Sequence, residues 1–353
     1  MNTAITTTTP TDVTWRVAEQ EQAIGQLANQ YASTATFSDF NDLKSDRTLA
    51  TYRQNLDSFC EYLGLGGLYR TADDLQHNAE SWSFCTHGLV VGYRKWLLRE
   101  GYAIATVNLR LATVRKYARL AAESETLSER EAGLIRLVGG YSTKEGKRID
   151  GRREIARKPR KTGKSQKRHS TEIAVDHAAM LKSQPNTPQG RRDAVMMCIA
   201  LDHGLRAGEL SILRVSDFDL SDGTMRFYRP KVDKVQTHRL TANALAAVRA
   251  YIESGDAPGA DDYLLRGSRK GGKLSAPGMT SVNISKRVKA LGERVGIDRL
   301  SAHDCRHYWA TQASRNGTDL ASLMQAGGWS SPAMPMRYIE DMAIANEGVR
   351  VAE

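Results

Sequence analysis

Apolar residues recur every three or four positions through much of this chain, the period of a helix with one buried face. Between residues 45 and 66, Leu49, Tyr52, Leu56, Phe59 and Leu63 mark such a face, with Ser45 or Thr48 suited to cap its start and Gly64 with Gly66 to stop it. A second helix is predicted over 88–100, with Val91, Trp96 and Leu97 inward, and a third from 105 to about 122, with Val107, Leu111, Val114 and Leu120 inward. The same period predicts helices over 175–181, 191–203, 243–253, 280–295, 304–316 and 319–325. The stretch RAGELSILRVSDFDL reads as continued helix, with Leu210, Leu213 and Val215 inward. Only around 225–228 and 236–240, after the turn Ser221-Asp222-Gly223, does the pattern predict strands. The fold expected is mainly α: an N-terminal helical bundle, then a mixed α/β domain of helices with a small antiparallel sheet.

The gaps in this pattern divide the chain. Residues 1–35 are rich in Thr, Ala and Gln, and Thr6 to Thr9 run into Pro10. They read as a flexible tail with room for a short helix between Val17 and Tyr31. Residues 136–171, with several glycines, Pro159 and a run of like charges, read as a linker rather than a packed element. The helical domain is therefore expected over 36–135, the mixed domain over 172–340, and a C-terminal tail over 341–353, where the apolar residues await a partner surface.

Composition adds a partner. The 353 residues are enough for two cores, and Lys+Arg 50 against Asp+Glu 40 leave a net charge of +10. Twelve basic and three acidic residues fall between Lys144 and Arg168, a surplus of 9 that nearly accounts for the whole excess. A tether needs no such charge, whereas an arm following a phosphate backbone does. The longest apolar run, 194–201, is far shorter than the ~18 residues a membrane span requires. The start has no apolar signal segment, and Cys60, Cys85, Cys198 and Cys305 show neither CxxC pairing nor metal-ligand spacing with His. A cytoplasmic protein with reduced thiols is expected, nucleoid-associated if prokaryotic.

Candidate chemistry is concentrated in residues 301–340. His303 and Arg306 stand three apart on a predicted helix, followed by Gly328-Trp329 and then by Tyr338. Histidine moves protons, arginine grips phosphate through two parallel bonds, and tyrosine can attack as a nucleophile. No G-x-S-x-G elbow, Walker A loop or GxGxxG fingerprint occurs.

In order and spacing, His303-x-x-Arg306, Gly328-Trp329 and Tyr338 resemble the C-terminal half of the tyrosine recombinase (phage integrase) family. Upstream, Gly204-Leu205-Arg206-Ala207-Gly208-Glu209-Leu210 is similar to the family's first arginine box, and Lys231 falls where the family carries a catalytic lysine on a β-hairpin. The resemblance covers roughly residues 44–340. Most members have Gly-His at 328–329; Trp329 makes this a Cre-like variant, in which an indole donates one hydrogen bond but carries no proton to and fro.

The resemblance implies a recombinase that cleaves and rejoins DNA through a 3′-phosphotyrosyl intermediate and a Holliday junction. Arg206 and Arg306 would hold the phosphate, Tyr338 attack it, His303 act as general base, Lys231 as general acid and Trp329 as hydrogen-bond donor. Glu209 and His307 would support them. It implies no metal and no cofactor, a helical core-binding domain on DNA, a monomer in free solution and a tetramer on paired sites. Arg110, Arg115, Lys116 and Arg119 on the third helix and Arg157, Lys158, Arg160 and Lys161 in the linker are the expected contacts to double-stranded DNA. A type IB topoisomerase shares this chemistry, and a non-catalytic DNA-binding protein could share the fold.

Overall fold

A computed structural model of the chain describes residues 10–155, 171–268 and 272–340. They fall into two compact units divided after Arg168.

The first unit is all helix: α1 (Pro10–Thr34), α2 (Thr36–Asp42), α3 (Asp46–Gly64), α4 (Ala72–His77), a 3₁₀ turn (Ala79–Trp82), α5 (His87–Arg99), α6 (Ile104–Glu123), α7 (Glu129–Leu137) and α8 (Thr143–Ile155). Ser45, Thr71, Thr86 and Ser128 each accept a backbone N–H at the start of a helix, so the ends are set by local chemistry. The core is aromatic. Trp82 stacks on Tyr117 at 6.2 Å and on Phe59 at 6.0 Å, and its indole N–H donates to Leu75 O at 2.8 Å. Between α3 and α6 a buried Asn55 amide donates to Thr113 Oγ1 at 2.9 Å, which satisfies both groups away from water.

Two expectations change here. Residues 10–34 form a helix where a flexible tail with at most a short helix was expected. Pro10 opens it, and residues 20–29, with three Gln and two Ala, hold the helix by propensity while remaining exposed.

The expected linker is also ordered over its first half. Ser142 and Glu145 cap α8 reciprocally, with Glu145 accepting from Ser142 N and Oγ at 2.8 Å each. Asn108 on α6 brackets Tyr141, donating to its carbonyl and accepting from its N–H, both at 2.8 Å. Asp150 is 2% exposed. The charges pointed to solvated chain, but a cap and a side-chain bracket suffice to dock a helix.

The second unit is built around α10 (Pro188–Asp202), whose residues 195–201 are all buried, so helices pack on it from several sides. The elements around it are α9 (Val175–Lys182), α12 (Ala242–Glu253), α13 (Ser281–Arg294) and α14 (Ala302–Arg315). A three-stranded antiparallel sheet, β1 (Phe218–Asp219), β2 (Thr224–Arg229) and β3 (Lys234–Arg239), lies in sequence order. A second pair joins β4 (Arg266–Ser268) and β5 (Leu274–Gly278).

The helix expected past Leu210 stops: α11 covers only Ala207–Leu210. Asp217 Oδ2 then accepts from Arg214 N at 2.8 Å, and Leu213 O accepts from Leu264 N at 2.7 Å. Leu213 is thus buried from extended chain. Its spacing from Leu210 mimicked a helical face.

The unit closes with α15 (Leu320–Gly327) and α16 (Pro335–Glu340). Burial raises the Cys85, Cys198 and Cys305 thiols to about 12 and the Cys60 thiol to about 11, which leaves them unreactive packing groups. Among the described residues no helix is long and apolar enough to cross a membrane.

Candidate active site

The candidate residues come from four separate segments of the second unit. The turn before α11 carries Arg206, the hairpin β2–β3 carries Lys231, α14 carries His303, Arg306 and His307, and the end of α15 with α16 carries Trp329 and Tyr338.

Helix α14 is started by a reciprocal cap: Asp304 accepts from Ser301 N at 2.9 Å, while Ser301 Oγ accepts from Asp304 N at 3.2 Å. That start turns Arg306 inward, to 2% exposure, and leaves His303 exposed. Arg306 donates to Gly204 O at 2.7 Å and to Gly327 O at 2.5 Å, so it ties the two glycine turns of the site together. Both turns need glycine. Gly204 has φ +65° and lies against the Trp309 ring; Gly328 has φ +61° and caps α15.

The Trp329 ring covers the Arg306 guanidinium at 4.2 Å and stacks on Trp309 at 6.0 Å. Tyr338 is 3% exposed, 5.8 Å from Trp329 and 4.9 Å from His307 between ring centres. His307 in turn meets His303. Tyr338 of α16 thereby meets the His303–His307 pair, with the buried Arg306 of the same α14 under Trp329 beside it.

Arg206 keeps 28% of its side chain exposed and donates to Glu209 Oε1 at 2.7 Å. The other oxygen of Glu209 accepts from Arg206 N at 2.8 Å and from Arg229 Nη1 at 2.7 Å. Arg229 is a residue the motif reading missed. It is 0% exposed, donates to Ala326 O at 2.7 Å and bonds the Gln236 side chain. A signal for it was available: along TMRFYR the alternate residues Met225, Phe227 and Arg229 all face inward. A basic residue in register with buried apolar ones must be paired.

Two guanidiniums thus share one carboxylate, and Arg306 is near enough to feel all three charges. Burial, with repulsion from Arg206 and Arg229, pulls the Arg306 pKa down to about 9, and burial likewise lowers that of Arg229. The cluster is a preformed excess of positive charge suited to receive an anion. Lys231 stands outside it, exposed in the turn between β2 and β3.

The expected nucleic-acid contacts divide. On α6, Arg115, Lys116 and Arg119 line a groove of about 620 Å³ with Arg136 of α7. Arg110 does not join them: it donates to Ser58 Oγ at 2.8 Å and lies 4.1 Å over the Tyr102 ring. The order of residues on the helix, five before Arg115, puts it on another side. Arg157, Lys158, Arg160, Lys161 and the tail 341–353 lie outside the described residues.

The chain is similar to known proteins in sequence and in fold. Residues 173–343 match the phage integrase family, and residues 41–125 match the N-terminal SAM-like domain of phage integrases. The tyrosine recombinase XerC of Roseiflexus sp. (strain RS-1) is 25% identical over 301 residues, covering 82% of each chain. The tyrosine recombinase XerA of Thermococcus onnurineus is 26% identical over 261 residues, covering 73% of this chain and 79% of that one.

The fold is similar to that of a lambda integrase dimer bound to a COC′ core site, with a TM-score of 0.56 at 12% identity over 92% of this chain and 98% of that one. It is also similar to XerH bound to difH substrate, with a TM-score of 0.55 at 17% identity over 82% and 74% of the two chains. The chain belongs to the tyrosine recombinase (phage integrase) family of site-specific recombinases.

Proposed function

We propose that this recombinase cleaves and rejoins double-stranded DNA through a covalent 3′-phosphotyrosyl bond on Tyr338, exchanging strands between two sites by way of a Holliday junction. The observation that carries the reading is the meeting of Tyr338 and Trp329 with His307 and Arg306 of α14, two segments of the chain.

In this reading Arg206 and Arg306 neutralise the non-bridging oxygens, where guanidinium forks match phosphate geometry. The Tyr338 oxygen attacks phosphorus and its proton passes to His303, supported by His307. The bond to the 5′ oxygen breaks, and Lys231 gives that oxygen its proton. Trp329, the Cre-like feature, packs on Arg306 and lends its N–H to a phosphate oxygen in place of a histidine. Attack by a 5′ hydroxyl reverses the sequence, and the phosphotyrosyl bond conserves the energy of the broken link. Tyr338 is buried, so its phenol must be uncovered when a duplex binds.

The helical unit and the charged stretch 144–168 bind the duplex, with Arg115, Lys116 and Arg119 on backbone phosphates. The protein is a cytoplasmic monomer in free solution and a tetramer on paired sites. Residues 341–353 form part of the protomer contact, so their removal from 345 onward leaves single-site binding and abolishes the paired-site complex.

A duplex nicked beside the cleavage position tests the reading, because the short 5′ fragment diffuses away and traps the adduct. The wild-type chain accumulates a covalent complex and transfers the strand to a second duplex; Tyr338→Phe binds equally and forms none. Adduct formation by the phenylalanine variant would falsify the assignment. Resealing confined to the original strand would make the protein a topoisomerase instead.

A further inference from the structure

Arg229 lies two residues before Lys231, yet its guanidinium is buried inside the unit. Its Nη1 is held by Glu209 Oε2 and its Nη2 by Ala326 O, both at 2.7 Å, while its Nε bonds the Gln236 side chain. It therefore has no free face to offer a ligand. Glu209 is 3% exposed and is the carboxylate that also holds Arg206.

The charge balance of this trio has a consequence. Were Glu209 paired with Arg206 alone, one negative charge would cancel one positive charge, and Arg206 would meet a phosphate as a neutral pair. With two guanidiniums on one carboxylate, one positive charge is left over. Arg229 is sealed and Arg206 is the partly exposed member, so the surplus faces outward through Arg206. In a buried setting that surplus is felt strongly, because little solvent screens it.

We propose that Arg229 is a positioning residue for strand cleavage: by sharing Glu209 it lets that carboxylate orient Arg206 without spending the positive charge Arg206 brings to the scissile phosphate. The proposal rests on the reading of Arg206 as a phosphate ligand.

The test compares an ordinary scissile phosphate with a methylphosphonate at the same position, which is neutral and has less need of the surplus charge. Single-turnover adduct formation is followed on nicked duplexes with the full-length protein. Arg229→Gln is expected to slow cleavage about 100-fold on the phosphate but less than about 10-fold on the methylphosphonate. In the double variant Glu209→Gln with Arg229→Gln the competing carboxylate is gone, so at least about 10-fold of the rate on phosphate should return. Equal defects on both linkages, with no recovery in the double variant, overturn the proposal and leave Arg229 a packing residue.

Should Arg229→Gln fail to fold, Arg229→Lys keeps the charge and is expected within about 10-fold of wild type on phosphate. A lysine variant slowed equally and by more than about 100-fold on both linkages also overturns it. Arg206→Gln serves as the separate control. If it shows no relief on the methylphosphonate, Arg206 is not the phosphate ligand and the underlying reading fails, whatever Arg229 does.

Discussion

The Nε2 atoms of His303 and His307 lie 3.1 Å apart, one turn from each other on α14, with the ring planes nearly perpendicular at 87°. At that distance the two rings can share a hydrogen bond, its direction set by their tautomers. His307 also touches the Tyr338 ring, which makes it the link between His303 and the phenol. Replacing His307 with Phe keeps the ring contact and removes the nitrogen. Adduct formation on the nicked duplex is expected to slow about tenfold or more with duplex affinity unchanged. An unchanged rate would mean that His303 works alone.

Lys231 and Lys234 are separated by geometry as well as by sequence. Lys231 is in the turn, whereas Lys234 is the first residue of β3 and pairs across from Arg229. Asp233, at φ +47°, accepts a hydrogen bond from Tyr228 Oη at 2.8 Å and shapes the turn. On DNA with sulfur at the 5′-bridging position the leaving group needs no proton. Lys231→Ala should be slow on ordinary DNA and largely rescued on the sulfur substrate; rescue of Lys234→Ala instead would move the acid by three residues.

Gly328 is constrained twice. Its φ of +61° disfavours any side chain, and a Cβ there would stand 2.7 Å from Arg229 Cδ. Gly328→Ala is expected to cost about 1–3 kcal/mol in a denaturation series and to slow adduct formation by displacing Arg229. Gly133, inside α7 with open space where a Cβ would go, is the control. Gly133→Ala should gain about 0.5–1 kcal/mol.

Acid should loosen the second unit before it protonates every carboxylate. His203 and His238, 5.7 Å apart, are both lowered to about 4, chiefly by burial. Between the unfolded value of 6.5 and about 4 the unfolded chain binds protons that the folded chain refuses. Stability is therefore full above pH 6.5 and is lost as the pH falls from there to about 4. Hydrogen exchange of the α10 and β3 amides, corrected for intrinsic rates, should show protection falling through this window. His238→Gln should reduce the slope, and an unchanged slope in a variant lacking both histidines would assign the acid sensitivity elsewhere.

Most helices were legible because their signals are local. Ser45, Thr280, Ser301 and Asp319 accept the backbone N–H groups that a helix start leaves over, and the apolar period marks the face behind them. The failures share a cause. Leu210 and Leu213 have helical spacing but are buried from different conformations, and the charges of α8 imitate a solvated linker. Local pattern records which residues seek burial, whereas the partner that buries them lies elsewhere in the chain.

By itself the sequence determined the helical class and the turn and strand positions around Lys231, and it put forward Arg206, His303, Arg306, Trp329 and Tyr338 as candidates, because motif spacing and caps act over a few residues. Only the tertiary structure decided which of those groups meet. It turned Arg110 toward Tyr102, buried Tyr338 against His307, and placed Arg229 on the far oxygen of Glu209. The Glu209–Arg229 pair spans 20 residues of chain, the Arg110–Ser58 bond 52 and the Arg306–Gly204 bond 102. A buried charge takes its role from whatever neutralises it, and that neighbour is chosen by the packing of the whole unit.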